Sequence, residues 1–260
     1  MILELENLGM RFGGVKAVDG LSCAIERGKV HAIIGPNGAG KTTLFNMVSG
    51  IYRPTAGRIR FDGQDVTGLP PERLAARGMC RTFQNLQIFE QMTALENVMV
   101  GRHLHEDRNI LDHVFRLPRL RASEAASRAR ALELLEVVGL AELADQPAGA
   151  LPYGAMKRLE IARALAAEPK LLLLDEPAAG CNATETREID EVIRGLPRRG
   201  VTVGLIEHDM HLVMNLSDHI LVLDYGRKLA EGTAAEIRKN PDVIAAYLGT
   251  HGGQEAVAHA

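Results

Sequence analysis

The residues best suited to chemistry form one unbroken stretch, Gly35-Pro36-Asn37-Gly38-Ala39-Gly40-Lys41-Thr42-Thr43, which fits G-x-x-x-x-G-K-[ST]. Glycines let backbone N–H groups turn toward a polyphosphate with no Cβ in the way. A helix starting here aims its unpaired amides and positive end at the same place. Lys41 is spaced to reach the β- and γ-phosphates, and the Thr42 hydroxyl to ligate Mg²⁺. The alternative is a chance glycine-rich turn ahead of a helix. The flanks argue against it: Val30-His31-Ala32-Ile33-Ile34 reads as a buried strand, and Leu44, Phe45, Met47 and Val48 continue an apolar helical face to Gly50. These residues form a nucleotide-phosphate site.

Other positions could complete that chemistry. Leu171-Leu172-Leu173-Leu174-Asp175-Glu176 is an apolar strand ending in two carboxylates, as suits a doubly covered strand of a parallel sheet. In such sheets ligands bind at the carboxyl ends of strands, where Asp175 would hold Mg²⁺ through water and Glu176 could polarise an attacking water. His208 follows a strand at 201–206; it either orients the water beside a γ-phosphate or is structural. Gln84 ends an apolar-polar alternation; its amide could touch Mg²⁺ or its water, or simply face solvent. Leu151-Pro152-Tyr153-Gly154-Ala155 feeds a strong helix, whose start offers amides to an anion or is an ordinary helix start. Phe12 stacks on a purine or belongs to the core.

The positioning elements follow in order. Residues 1–34 read as short strands with turns at Gly13-Gly14 and Arg27-Gly28, and residues 51–69 as a small hairpin. A helix is predicted over 70–78, opened by Pro70-Pro71-Glu72. A helical block spans about 93–168, and its run Arg116-Leu117-Pro118-Arg119-Leu120-Arg121 reads as a solvated face rather than a nucleic-acid patch. A terminal hairpin turns at Asp224-Tyr225-Gly226, one helix is predicted over 233–248, and the tail at 250–260 has little to bury. A net charge of −3 advertises no nucleic-acid partner. Three well-separated cysteines fit a reducing compartment, and the apolar runs fall short of the ~20 residues of a membrane helix. A soluble cytosolic chain is expected, with any membrane role exercised through partners.

Taken together and in this order, these elements resemble the ATP-binding subunits of ABC transporters over residues 1–249. The resemblance implies an α/β fold: a P-loop NTPase core with a mostly parallel sheet, an N-terminal antiparallel β subdomain and an inserted helical subdomain. It identifies Phe12 as the adenine-stacking aromatic, residues 35–43 as Walker A, Gln84 as the Q-loop, and 151–155 as the signature loop. Residues 171–176 become Walker B, 178–182 the D-loop, and His208 the switch histidine. More narrowly, Leu151-Pro152-Tyr153-Gly154, Asp175-Glu176-Pro177-Ala178-Ala179-Gly180, Ile206-Glu207-His208-Asp209-Met210 and Asn240-Pro241-Asp242-Val243-Ile244 look like the larger ATPase of branched-chain amino acid importers, the LivG type.

ATP and Mg²⁺ are then implied as cofactors, with Thr42, Gln84 and Asp175 as metal ligands and Glu176, His208 and Gln84 as catalytic residues. The implied partners are a second cassette, identical or paralogous, two integral membrane permeases and, indirectly, a periplasmic or extracellular solute-binding protein. Nucleic acid is not among them. The signature loop would cap a γ-phosphate bound to the partner cassette, and the chain would sit on the inner face of the membrane. Pro152, Ala155 and Asn182 depart from the common pattern, which predicts two unequal ATP sites. Other readings are a cassette for urea, other amino acids or lipopolysaccharide export, or a non-transport ATPase. The last usually carries two cassettes or a long coiled coil, and this chain has one phosphate loop and no sustained heptads.

Overall fold

The computed structural model describes residues 1–82, 84–103 and 118–250. The expected tail from residue 251, and Arg116 and Leu117 of the basic run, lie outside the described residues. The chain divides into two units. The first comprises residues 1–74, 173–176 and 196–260.

Two sheets build this first unit. An antiparallel sheet in the order β2-β1-β4-β5 joins β1 (Leu3–Phe12), β2 (Val15–Ile25), β4 (Ala56–Phe61) and β5 (Gln64–Asp65). The second runs β10-β9-β3-β8-β7, built from β3 (Val30–Ile34), β8 (Thr202–Ile206), β9 (His219–Asp224), β10 (Arg227–Gly232) and residues 173–175 of β7 (Leu171–Asp175). β3 is parallel to both β8 and β9, while β10 returns antiparallel to β9. Every residue of β3, β7 and β8 is buried, which is why these runs are mostly apolar rather than alternating. The fold is α/β with a mostly parallel sheet and a separate antiparallel one.

Helices α1 (Lys41–Val48), α2 (Pro71–Ala75), α7 (Met210–Leu216), α8 (Ala234–Lys239) and α9 (Pro241–Thr250) complete the unit, apart from the last residue of α2. Two helix expectations need correction. The predicted 70–78 helix is only the short α2. The single helix over 233–248 is two, because Pro241 has no N–H to continue the first and Asn240 before it is extended (φ −75°, ψ 117°). The Asn240 side chain then accepts from the Asp242 N–H at 2.9 Å, starting α9 afresh.

The second unit comprises residues 75–172 and 177–195. It holds β6 (Met79–Arg81), α3 (Ala94–Gly101), α4 (Pro118–Val137), α5 (Tyr153–Leu165) and α6 (Ala183–Gly195). It takes in residues 93–168 and extends beyond them on both sides. A full capping box at Thr93 and Glu96 starts α3, and the buried Asn97 amide ties the preceding loop to it through Phe89, with hydrogen bonds of 2.8 and 3.0 Å. Among the described residues no helix is long and apolar enough to cross a membrane.

One buried polar residue sets an acid limit on the first unit. His31 is only 4% exposed, and its Nε2 accepts the Glu26 N–H at 2.9 Å, so the ring proton sits on Nδ1. Burial, helped by the neighbouring His219, pushes the His31 imidazole down to about 4. The unfolded chain therefore binds a proton near pH 6.5 that the folded chain refuses until about pH 4. His31's share of stability is complete above that window and is lost as pH falls through it. Urea unfolding should lose about 2 kcal/mol between pH 7 and pH 5 through this group. In His31→Gln the fall over the same range should be shallower by about that amount.

Candidate functional site

The phosphate loop leaves the end of β3 and enters α1. Gly35 is buried at φ +151°, and a Cβ there would lie 2.1 Å from the Leu223 carbonyl oxygen. Only glycine lets the loop begin so close to the end of β9. Pro36 is buried, Asn37 and Gly38 are exposed, and Ala39 is 2% exposed, with its N–H bonded to the Pro36 carbonyl at 3.1 Å. The turn after β9 braces the loop: Gly226 N–H donates to the Ala39 carbonyl at 3.0 Å.

Gly40, left-handed at φ 99°, is the N-cap of α1 and supplies no side-chain cap. The opening amides of α1, from Lys41, Thr42 and Thr43, therefore have no intrahelical partners and point their dipoles out of the helix start. Thr42 is exposed and Thr43 half-buried. The Lys41 ammonium folds back on its own loop, donating to the Gly35 carbonyl at 2.6 Å and the Pro36 carbonyl at 3.0 Å. Burial lowers its pKa, and the Glu176 carboxylate works against that fall.

Glu176 stands just past β7 in the left-handed region at φ 48°, a cost that an ordinary side chain bears only where the surroundings hold it. Its N–H donates to the Ile206 carbonyl at the end of β8, 3.0 Å away. Asp175 is 5% exposed. His208 Nδ1 lies 3.9 Å from Glu176 Oε1 and 3.8 Å from the buried Glu207 carboxylate, while its own side chain is 65% exposed. Asp209 caps α7 through the His211 and Leu212 amides, which fixes the chain just after His208. One unit thus brings together residues 35–43, Asp175, Glu176 and His208.

Phe12 ends β1 in the same unit and is 45% exposed, with its ring edge-on to Tyr52 at 5.4 Å. That removes the core-aromatic alternative. The remaining positions fall in the second unit. Gln84 is exposed three residues after β6, and its carbonyl accepts from Lys157 Nζ at 3.3 Å. Leu151 is buried, Pro152 is the N-cap of α5, and Tyr153 is 43% exposed. Gly154 and Ala155 are buried.

Two contributors were not singled out as site residues by the sequence. Tyr247 of α9 receives a backbone hydrogen bond from Gly35, while burial pushes its phenol up to about 12. Glu185 of α6 accepts the Gly154 N–H at 3.1 Å. Asn182 and Glu185 are spaced as a local helix cap, but nothing in the sequence ties Glu185 to Gly154 or Tyr247 to Gly35, so only spatial proximity reveals either contact.

The family model for ABC transporters matches residues 18–179. The chain belongs to the ABC transporter family. A second model, for the branched-chain amino acid ATP-binding cassette transporter, matches residues 227–252. The cassette is 51% identical to the high-affinity branched-chain amino acid transport ATP-binding protein BraF of Pseudomonas aeruginosa, over 95% of this chain and 98% of that protein. It is 45% identical to LivG of Salmonella typhimurium at the same coverage. Among solved structures, it matches the ADP conformation of an ATP-binding cassette of an ABC transporter with a TM-score of 0.83 and 36% identity, over 95% and 98% of the two chains. A dimeric post-hydrolysis cassette bound to ADP and Pi matches with a TM-score of 0.73 and 26% identity, over 89% and 98%. As a member of this family the cassette binds nucleotide and is an ATPase.

Separating charge from fold tests the site. Lys41→Ala should cut ATP turnover on the order of 10²–10³-fold. Glu176→Asn suits the left-handed position but draws the polar group back, so turnover should drop on the order of 10²–10⁴-fold. Its melting temperature should stay at or above wild type, as read by calorimetry, because asparagine tolerates that backbone better.

Proposed function

We propose that this chain is the ATP-hydrolysing subunit of an importer for branched-chain amino acids, working on the inner face of a cell membrane beneath two permease subunits. The observation that carries the reaction is the convergence of Lys41, Glu176 and His208 at the carboxyl edge of one parallel sheet. The solute is supported by the 51% identity to a branched-chain amino acid transport protein and by the matched tail at 227–252.

In this reading the amides at the start of α1 hold the β- and γ-phosphates of the substrate ATP, and Lys41 moves from its loop carbonyls onto them. Phe12, exposed and already edge-on to Tyr52, stacks on the adenine. Thr42 and Asp175 offer hard oxygens for Mg²⁺, and among the described residues no cluster of three acidic, His or Cys side chains could hold the ion alone. That fits an ion shared with substrate phosphates, whose chemistry is to neutralise charge on the β- and γ-oxygens. Glu176 polarises the water that attacks the γ-phosphorus as the bond to the leaving ADP oxygen breaks, and His208 orients that water and the γ-phosphate. Gln84 belongs to the second unit; its proposed part, a ligand to the ion or its water, rests on the resemblance.

A second cassette completes each site. The signature loop, Leu151 to Ala155, would cap the γ-phosphate held by a partner, giving two nucleotides sandwiched head to tail. The dimeric solved relative supports pairing of two cassettes. Closure and release of the pair would drive the permeases, with a solute-binding protein delivering cargo on the far side.

Uptake of labelled leucine, urea and related solutes in cells lacking this chain tests the reading. Wild type should restore leucine uptake and Lys41→Ala should not. Restoration of urea alone would move the solute, and no restoration with an envelope defect would favour export.

A further inference from the structure

Glu185 does more than start its own helix. It is the third residue of α6 and one carboxylate oxygen accepts the Asn182 N–H at 3.0 Å, while the Asn182 side chain accepts the Thr184 and Glu185 N–H groups at 2.9 and 3.1 Å. That exchange is a local capping box. The other oxygen leaves the box and takes the Gly154 N–H of α5, thirty-one residues away in sequence, at 3.1 Å. The contact is close: a Cβ on Gly154 would lie 2.5–2.7 Å from three Glu185 side-chain atoms. The two amides, from Asn182 and then Gly154, hold the carboxyl below the usual range, so it is an anion at neutral pH. An internal anion therefore occupies the opening of the thirteen-residue helix α5.

We propose that Glu185 of α6 is a built-in competitor for the signature loop, which the γ-phosphate of a partner-bound nucleotide must displace from Gly154. The inference rests on the sandwich reading above. A phosphate and a carboxylate seek the same amide and repel one another near it, so Glu185 weakens nucleotide-driven pairing until it swings aside. Because its second oxygen holds the Asn182 turn, displacement also loosens the segment after Glu176. In Glu185→Gln the side-chain amide has one acceptor oxygen in place of two, enough for the local capping box, and leaves Gly154 free.

The test is pairing of the full chain with a β,γ-imido ATP analogue and Mg²⁺, followed by sedimentation, for wild type, Glu185→Gln and Glu185→Ala. Both variants should pair at an analogue concentration about two- to fivefold lower than wild type. The difference should shrink at high salt, because the repulsion is between exposed charges. Thermal unfolding of the same samples reports the structural part of the cap. A lower melting temperature with an unchanged or higher analogue requirement would make Glu185 a cap only and overturn the inference. Wild type that pairs normally in that experiment leaves the sandwich reading standing. Failure of wild type to pair at any concentration would remove the sandwich reading and this inference together.

Discussion

Parallel pairing of β3 with β8 on one side and β9 on the other is the constraint on which the site depends. Parallel neighbours end at the same edge, so whatever follows each strand is delivered to one place. The phosphate loop follows β3, His208 follows β8, and the turn that braces Ala39 follows β9. Next to β8 stands β7, which ends in Asp175, with Glu176 just past it. Complete burial of β3, β7 and β8 locks this register, since a slip would push large apolar side chains out of their packing.

That rigid frame supports costs concentrated at its edge. Lys41 is partly desolvated and bonded to carbonyls of its own loop, a cation in wait for an anion. Glu176 sits in a left-handed conformation that carries a penalty of about 1–3 kcal/mol. The Ile206 carbonyl and the strands beneath hold it there. A segment less firmly packed would relax both residues away from the geometry the chemistry needs.

The two glycine-containing helix starts resolve the same problem in opposite ways. Gly40 leaves the first amides of α1 without a side-chain cap, so that end is open to an external anion. Gly154 opens α5, and there Glu185 fills the position from another helix. Under the proposed function, the uncapped start receives the chain's own nucleotide, and the self-capped start makes capture of a partner's nucleotide conditional.

Much of this was legible from local pattern. The phosphate loop announces itself because its conformation depends on glycines at set spacings, and β7 because a doubly buried strand must be apolar throughout. Strand order along the chain and the two carboxylates at a strand end follow from the same short-range physics. Helix limits were less legible: one proline at 241 split a run whose apolar period continues through it. Phe12 could be placed on a strand end, yet its exposure depended on what β1 packs against. Glu185 and Tyr247 were beyond reach, because a hydrogen bond across thirty-one residues, or from a C-terminal helix to Gly35, leaves no periodic trace. Sequence alone determined which loop has the glycine spacing of a phosphate cradle and which segments must be buried, since both depend on residue type and near neighbours. The tertiary structure decided which amides stand open and which are already taken, since that depends on distant carboxylates and carbonyls brought within about 3 Å by packing.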